Sequence, residues 1–142
     1  YVRHEDKRIA LFRVEPARAV RAAVQVGQEY AITQGASGKV LLAFTQPLSV
    51  GYDQIRDQLW AVSYGERDPE TASVAAPVFG VTGELQGALT LSAPRDRLAQ
   101  PEAMYKACCQ VLEAAKEGTH ALGGESHRFV TGIEALSVGR FV

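Results

Sequence analysis

The sequence predicts an α+β fold, an antiparallel sheet backed by helices, and three observations carry that prediction. Between Ser73 and Pro94 two apolar runs flank Gly80-Val81-Thr82-Gly83, the signature of a β-hairpin. From Pro101 to Leu122 apolar residues recur in steps of four and three, the signature of a helix with one buried face. The 142 residues are 46% hydrophobic with a formal net charge of -1, which suits one soluble globular domain able to bury a core.

In chain order, Arg8 to Glu15 alternates loosely through Ile9, Leu11 and Val14 and reads as a strand ended by Pro16. Ala19 to Val26 reads as a second strand, closed by Gly27. Ala36 to Phe44 has the bunched apolar residues of a short buried helix, and Pro47 stops it. Tyr52 to Leu59 is a second helix, and Trp60 to Tyr64 a strand that runs into the polar loop Gly65 to Glu70. In the long helix Met104, Cys108, Val111, Ala115, Gly118 and Leu122 form one stripe, widened by Tyr105 and Leu112. Pro101 fits its first turn and Gly123-Gly124 ends it. The stretch Glu125 to Val142 holds Phe129, Ile133, Leu136 and Phe141, too apolar for a disordered tail, and fits a helix, a strand or a contact with a second chain.

Several function classes drop out. A near-neutral charge lacks the basic footprint of a nucleic-acid grip, and no run approaches a membrane span. His4, His120 and His127 lack metal-ligand spacing with another His or Cys, so neither a metal nor a cofactor is expected. Adjacent Cys108 and Cys109 read as reduced thiols in a helix, with Cys108 in the core, which suits a cytoplasmic protein. No nucleophile-base pair can be named, so an enzyme is not expected, and an enzyme of small acids using Glu66 or Cys109 is a rival reading. Gly35-Ala36-Ser37-Gly38-Lys39 is not a P-loop, because only two residues separate its glycines and Val40 follows Lys39. It does open a helix, whose free N–H groups at Ala36 and Ser37 could hold an anion. The chain begins at Tyr1 with its single Met at position 104, which suggests a piece of something longer.

Alternation along the hairpin sorts its side chains onto two faces. With Gly80 to Gly83 as the loop, Phe79 faces Glu84, Ser73 faces Thr90 and Ala75 faces Ala88. Val74, Ala76, Val78, Leu89 and Leu91 then point to a core under the long helix. Ser73, Ala75, Ala88, Thr90 and Ser92 share the other face, where small residues leave a hollow and hydroxyls give it hydrogen-bonding groups. Such a face is either ordinary solvated sheet or a site for a small polar ligand. Ser63 and Glu66, at the mouth of the polar loop, could orient a ligand hydroxyl.

Four blocks together resemble the effector-binding domain of IclR-type transcriptional regulators: RVEPARAVRAAVQVG from Arg13, GASGKVLLAF from Gly35, AVSYGERDPETASVAAPVFG from Ala61 and GALTLSAPRDRL from Gly87. The resemblance covers about residues 5 to 122 and implies a GAF-like antiparallel sheet flanked by helices, with residues 1–124 as the effector-binding domain and 125–142 as a tail. It implies a sensor of a small organic acid or aromatic metabolite, acting as a homodimer or tetramer. DNA would be bound only by a winged helix-turn-helix outside this chain. Carried over by motif, the ligand-binding positions are Gly35, Ala36, Ser37, Ser63, Glu66, Ser73, Thr90 and Ser92. A GAF-like sensor from another signalling protein and a dimerisation module without a ligand are the rival readings.

Overall fold

In the computed structural model, which describes residues 1–15 and 24–142, short strands precede a long hairpin and helices cover it. Strands β1 (Val2–His4), β2 (Lys7–Ile9) and β3 (Glu29–Ala31) form one antiparallel sheet in the order β1-β2-β3. Strands β4 (Ala61–Tyr64), β5 (Thr71–Phe79) and β6 (Leu85–Pro94) form a second, in the order β4-β5-β6. The Tyr1 amine donates to the Ala88 carbonyl at 3.0 Å and the Ala88 N–H to the Tyr1 carbonyl at 2.8 Å, so the edges of the two sheets meet. The helices are α1 (Ala36–Phe44), α2 (Asp53–Gln58), α3 (Arg95–Leu98), α4 (Pro101–Ala121) and α5 (His127–Glu134), with a final 3-10 turn at Val138–Phe141.

The expected strand over 8–15 is confined to β2, and residues 10–15 form no strand with another described segment. The Ala10 carbonyl is instead taken by the Gly27 N–H at 2.7 Å. Most of the strand expected over 19–26 lies outside the described residues. The helix expected over 52–59 stops at Gln58, because Leu59 adopts a left-handed φ of 67°.

The hairpin register differs from the expected one by two residues up to Val78 and by one at Phe79. Ser73 pairs with Ser92, Ala75 with Thr90, Pro77 with Ala88, and Phe79 with Leu85. The cause lies at the tip. The loop runs from Gly80 to Glu84, closed by Gly80 N–H to Glu84 C=O (2.9 Å), and a bulge follows Val78. The Glu84 carboxylate holds the loop by accepting from the Thr82 N–H (2.9 Å) and Gln86 Nε2 (2.8 Å). The even shift keeps the side chains of Ser73 to Val78 on their expected faces, while the bulge turns Phe79 into the core with Val74 and Ala76.

The α4 side of the sheet carries the main core. Val74, Ala76 and Phe79 meet Met104, Cys108, Val111, Leu112 and Ala115 there, with Leu91 partly buried against them. Each large member removed from water contributes roughly 1.5–3 kcal/mol. Leu89 and Leu122 depart from expectation and stay exposed; α4 ends at Ala121, so the stripe stops short of Leu122. Residues 127–141 fold back onto this core: Phe129 is fully buried and its ring lies 6.1 Å from that of Phe79. The Phe141 ring sits 5.0 Å from Trp60.

On the other side of the sheet, α1 lies against the hairpin. Ala36, Val40 and Leu41 pack on Ala61, Ala75 and Ala88, so alanines expected to line a hollow are covered by helix instead. Gly38 lets the segment after β3 lie against α1: an added Cβ there would be 2.0 Å from the Ile32 carbonyl oxygen.

Candidate functional site

Where α1 begins, the covered face opens into a cavity of about 30 Å³. Its lining brings together all eight positions named from the sequence: Gly35, Ala36, Ser37, Ser63, Glu66, Ser73, Thr90 and Ser92. It adds Tyr1, Arg8, Val24, Arg67 and Thr71, which the sequence did not single out, and Asp68, a loop acid with a weaker claim than Glu66.

Strand pairing builds the floor. Ser63 on β4 pairs with Ser73 on β5, and Ser73 pairs with Ser92 on β6, so three hydroxyls form one row across the sheet. Thr90 lies two residues back along β6, in the row with Ala75 and Ala61. Ser63 and Ser73 are buried, whereas Ser92 is exposed at the margin. The Thr90 hydroxyl is buried without a hydrogen-bond partner among the described residues.

The roof is the start of α1. Gly35 enters it at φ 90°, and no side chain caps the helix, leaving the first-turn N–H groups of Ala36 and Ser37 unpaired within it. The Gly35 N–H points to Glu66 Oε1 at a long 3.4 Å. Glu66 Oε2 meets Lys39 Nζ at 2.5 Å, and that ammonium also donates to the Val62 carbonyl at 2.9 Å. Glu66 therefore latches the β4 loop to α1.

Arg8 forms a wall and is only 3% exposed. In the three-residue strand β2 it alone is fully buried. Its guanidinium donates to Ser37 Oγ at 2.9 Å and, at a long 3.4 Å, to the Ala31 carbonyl. The Tyr1 and Tyr30 rings flank it, with centroids 4.6 and 5.1 Å from Cζ. Burial pushes its pKa down from the ordinary arginine value; Arg67 adds to that, while Tyr1 and Tyr30 oppose it. At the rim, the Asp68 carboxyl is held below its ordinary value by the Glu70 N–H and the Thr71 hydroxyl.

Sequence reasoning missed Arg8 because a charged residue in a short polar strand reads as solvent-facing. The one available signal is alternation, which places Arg8 opposite to Lys7 and Ile9. Among the described residues no cluster of three or more His, Cys, Asp or Glu could hold a metal, and no helix is long and apolar enough to cross a membrane. A mostly apolar groove of about 790 Å³ runs along β6 toward Leu11 and Phe12, and shares Tyr1, Val24, Thr90 and Ser92 with the cavity.

Antiparallel sheets packed with helices in this arrangement are the fold of a bacterial regulator's C-terminal domain. Residues 45–118 match the family described as bacterial transcriptional regulator IclR C-terminal, and the chain belongs to that family. Ser63, Glu66, Ser73, Thr90 and Ser92 lie within the matched stretch; Arg8 and the start of α1 lie before it. The C-terminal domain of a protein described as a transcriptional regulator from Vibrio cholerae has a TM-score of 0.70 at 26% identity, covering 81% of this chain and 80% of that one. An IclR transcriptional regulator from Alicyclobacillus acidocaldarius has a TM-score of 0.71 at 26% identity, covering 84% of this chain and 57% of that one. The Thermotoga maritima IclR shares the fold, with a TM-score of 0.74 at 18% identity over 86% of this chain and 59% of that one. The chain thus spans little more than half of these two longer regulators. No curated protein matches it.

Proposed function

We propose that residues 1–124 are a sensor for a small organic acid or aromatic metabolite, and that binding under α1 controls an attached DNA-binding domain. One observation carries the reading. Among the described residues five polar or charged side chains are buried, and four of them, Arg8, Ser37, Ser63 and Ser73, line this one cavity. Burying polar groups is costly unless they are hydrogen-bonded, so their convergence favours a ligand site over a solvated sheet face. Ser73, Thr90 and Ser92 would hold the polar head, with Ser63 beside them, while amides at Ala36 and Ser37, next to Gly35, face an anionic group. Glu66 would act through its latch to Lys39, so that a ligand pressing on the roof shifts the loop after β4.

Control of DNA binding requires that the ligand favour one arrangement of a homodimer or tetramer over another. DNA contact belongs to a winged helix-turn-helix outside this chain, and the cytoplasm is the fitting compartment. The test is a thermal-shift screen of small carboxylic acids and aromatic catabolites against the protein and its Ser73→Ala variant. A true effector at a hundredfold excess over Kd stabilises by roughly 2.7 kcal/mol. At about 2.1 cal/mol/K per residue that is roughly 9 °C for this chain. A panel that shifts neither protein overturns the reading in favour of a dimerisation module.

A further inference from the structure

The cavity wall contains a charge with no counter-charge among the described residues. Arg8 is 3% exposed, yet the groups it touches are neutral: Ser37 Oγ, the Ala31 carbonyl and two tyrosine rings. No carboxylate forms an ion pair with it among the described residues, and residues 16–23 contain neither Asp nor Glu. The nearby acids are already engaged, Glu66 by Lys39 and Asp68 by Thr71 and the Glu70 N–H. Arg67, the next cation, lies with its Cζ 5.2 Å from the Tyr30 ring and adds positive charge to the same wall.

An unpaired buried cation is among the costlier arrangements a fold can hold. The tyrosine faces and the Ser37 hydroxyl soften that cost without neutralising the charge. An arginine offers five donors in a planar fork that suits a carboxylate, and two contacts leave most of them unspent. One guanidinium nitrogen, Nη2, lies against Gly35, where an added Cβ would be 3.1 Å from it. The glycine thus keeps space open between the guanidinium and the uncapped start of α1.

We propose that Arg8 is the specificity-determining residue of the site, supplying the counter-charge that makes the cavity accept a carboxylate and reject its neutral isosteres. This rests on the cavity being a ligand site and narrows its occupant to a compact anion. Thr90 Oγ1, buried and unpartnered on the floor, takes a second polar atom of that ligand. A neutral aromatic metabolite would leave Arg8 as uncompensated as it is in the ligand-free protein.

The test compares acids with their amides by titration calorimetry: glycolate against glycolamide and benzoate against benzamide. The wild-type chain should bind the acid of at least one pair tenfold or more tighter than its amide, about the effect of one charge-assisted contact. In Arg8→Gln that preference should fall to within about threefold, and the ligand-free variant should melt no lower than wild type, since an uncompensated charge has been removed. Should Arg8→Gln fail to fold, Arg8→Lys keeps the charge but loses the fork, and should cost about tenfold in acid affinity while leaving amide binding unchanged. Acid and amide binding alike in wild type, or an acid preference surviving in Arg8→Gln, overturns the role of Arg8 and leaves the cavity standing as a ligand site. Acid affinity unchanged in Arg8→Lys overturns it equally. A wild-type protein that binds no member of either pair overturns both this role and the sensor reading.

Discussion

Thr90→Val should raise the stability of the ligand-free protein and lower its response to ligand. The Thr90 hydroxyl, on strand β6, is buried without a partner among the described residues. Leaving such a group unsatisfied costs about 1–3 kcal/mol. Because the residue as a whole is only partly buried, the low end, about 1 kcal/mol, is the appropriate figure. Valine keeps the β-branched shape that strands favour and removes only the polar atom. An unfolding entropy of about 2.1 cal/mol/K per residue gives roughly 0.3 kcal/mol/K for this chain, so the variant should melt about 3 °C higher. Differential scanning calorimetry without ligand measures that shift, and titration with any carboxylate found in screening measures the opposing loss, expected at about tenfold or 1.4 kcal/mol. A variant that melts lower than wild type, or that binds the same ligand unchanged, would refute the reasoning.

Other perturbations test other parts of the fold. Gly38→Ala places a Cβ 2.0 Å from the backbone oxygen of Ile32, where nothing flexible can yield, and should cost more than about 4 kcal/mol by denaturant titration. Gly80→Ala meets only the side-chain ends of Glu84 and Gln86 at a hairpin tip and should stay within about 1 kcal/mol. Phe129→Ala empties a fully buried site and should cost about 3–5 kcal/mol, with a far-UV melt showing one cooperative loss rather than a separate tail transition. Burial pushes the Cys108 thiol up to about 12, from an ordinary value near 9. The unfolded chain therefore loses this proton first, and stability falls as pH rises from 9 toward 12. Between pH 9 and 10 the wild type should lose about 1 kcal/mol more than Cys108→Ala in urea titrations.

The sequence carried the hairpin and its polar face because strand alternation survives small errors of register. Ser73 was expected opposite Thr90 and lies opposite Ser92, yet all three hydroxyls still meet the cavity. The long helix was readable for the related reason that its stripe repeats over several turns. The first sheet was not readable. Strands of three residues show too little alternation to distinguish from loop, and β1 and β3 went unseen. Arg8 was hidden by the rule that charges face water, a rule its place between two tyrosine rings defeats. The tail's apolar content announced burial, but Phe129 finds its partner Phe79 fifty positions back, a distance no local pattern encodes.

The row Ser63, Ser73, Ser92 also acts as a ruler. Directly paired residues of antiparallel strands sit about 4.5–5.5 Å apart. An oxygen poised above the midpoint between two of them can therefore lie within about 2.8 Å of both hydroxyls. Three serines give two such seats, one over each inter-strand gap, spaced by the backbone rather than by the side chains. Exchanging a serine for threonine would crowd a seat without moving it. Moving one would take a slip of the strand, and a slip of one residue would carry the hydroxyls of that strand to the far side of the sheet.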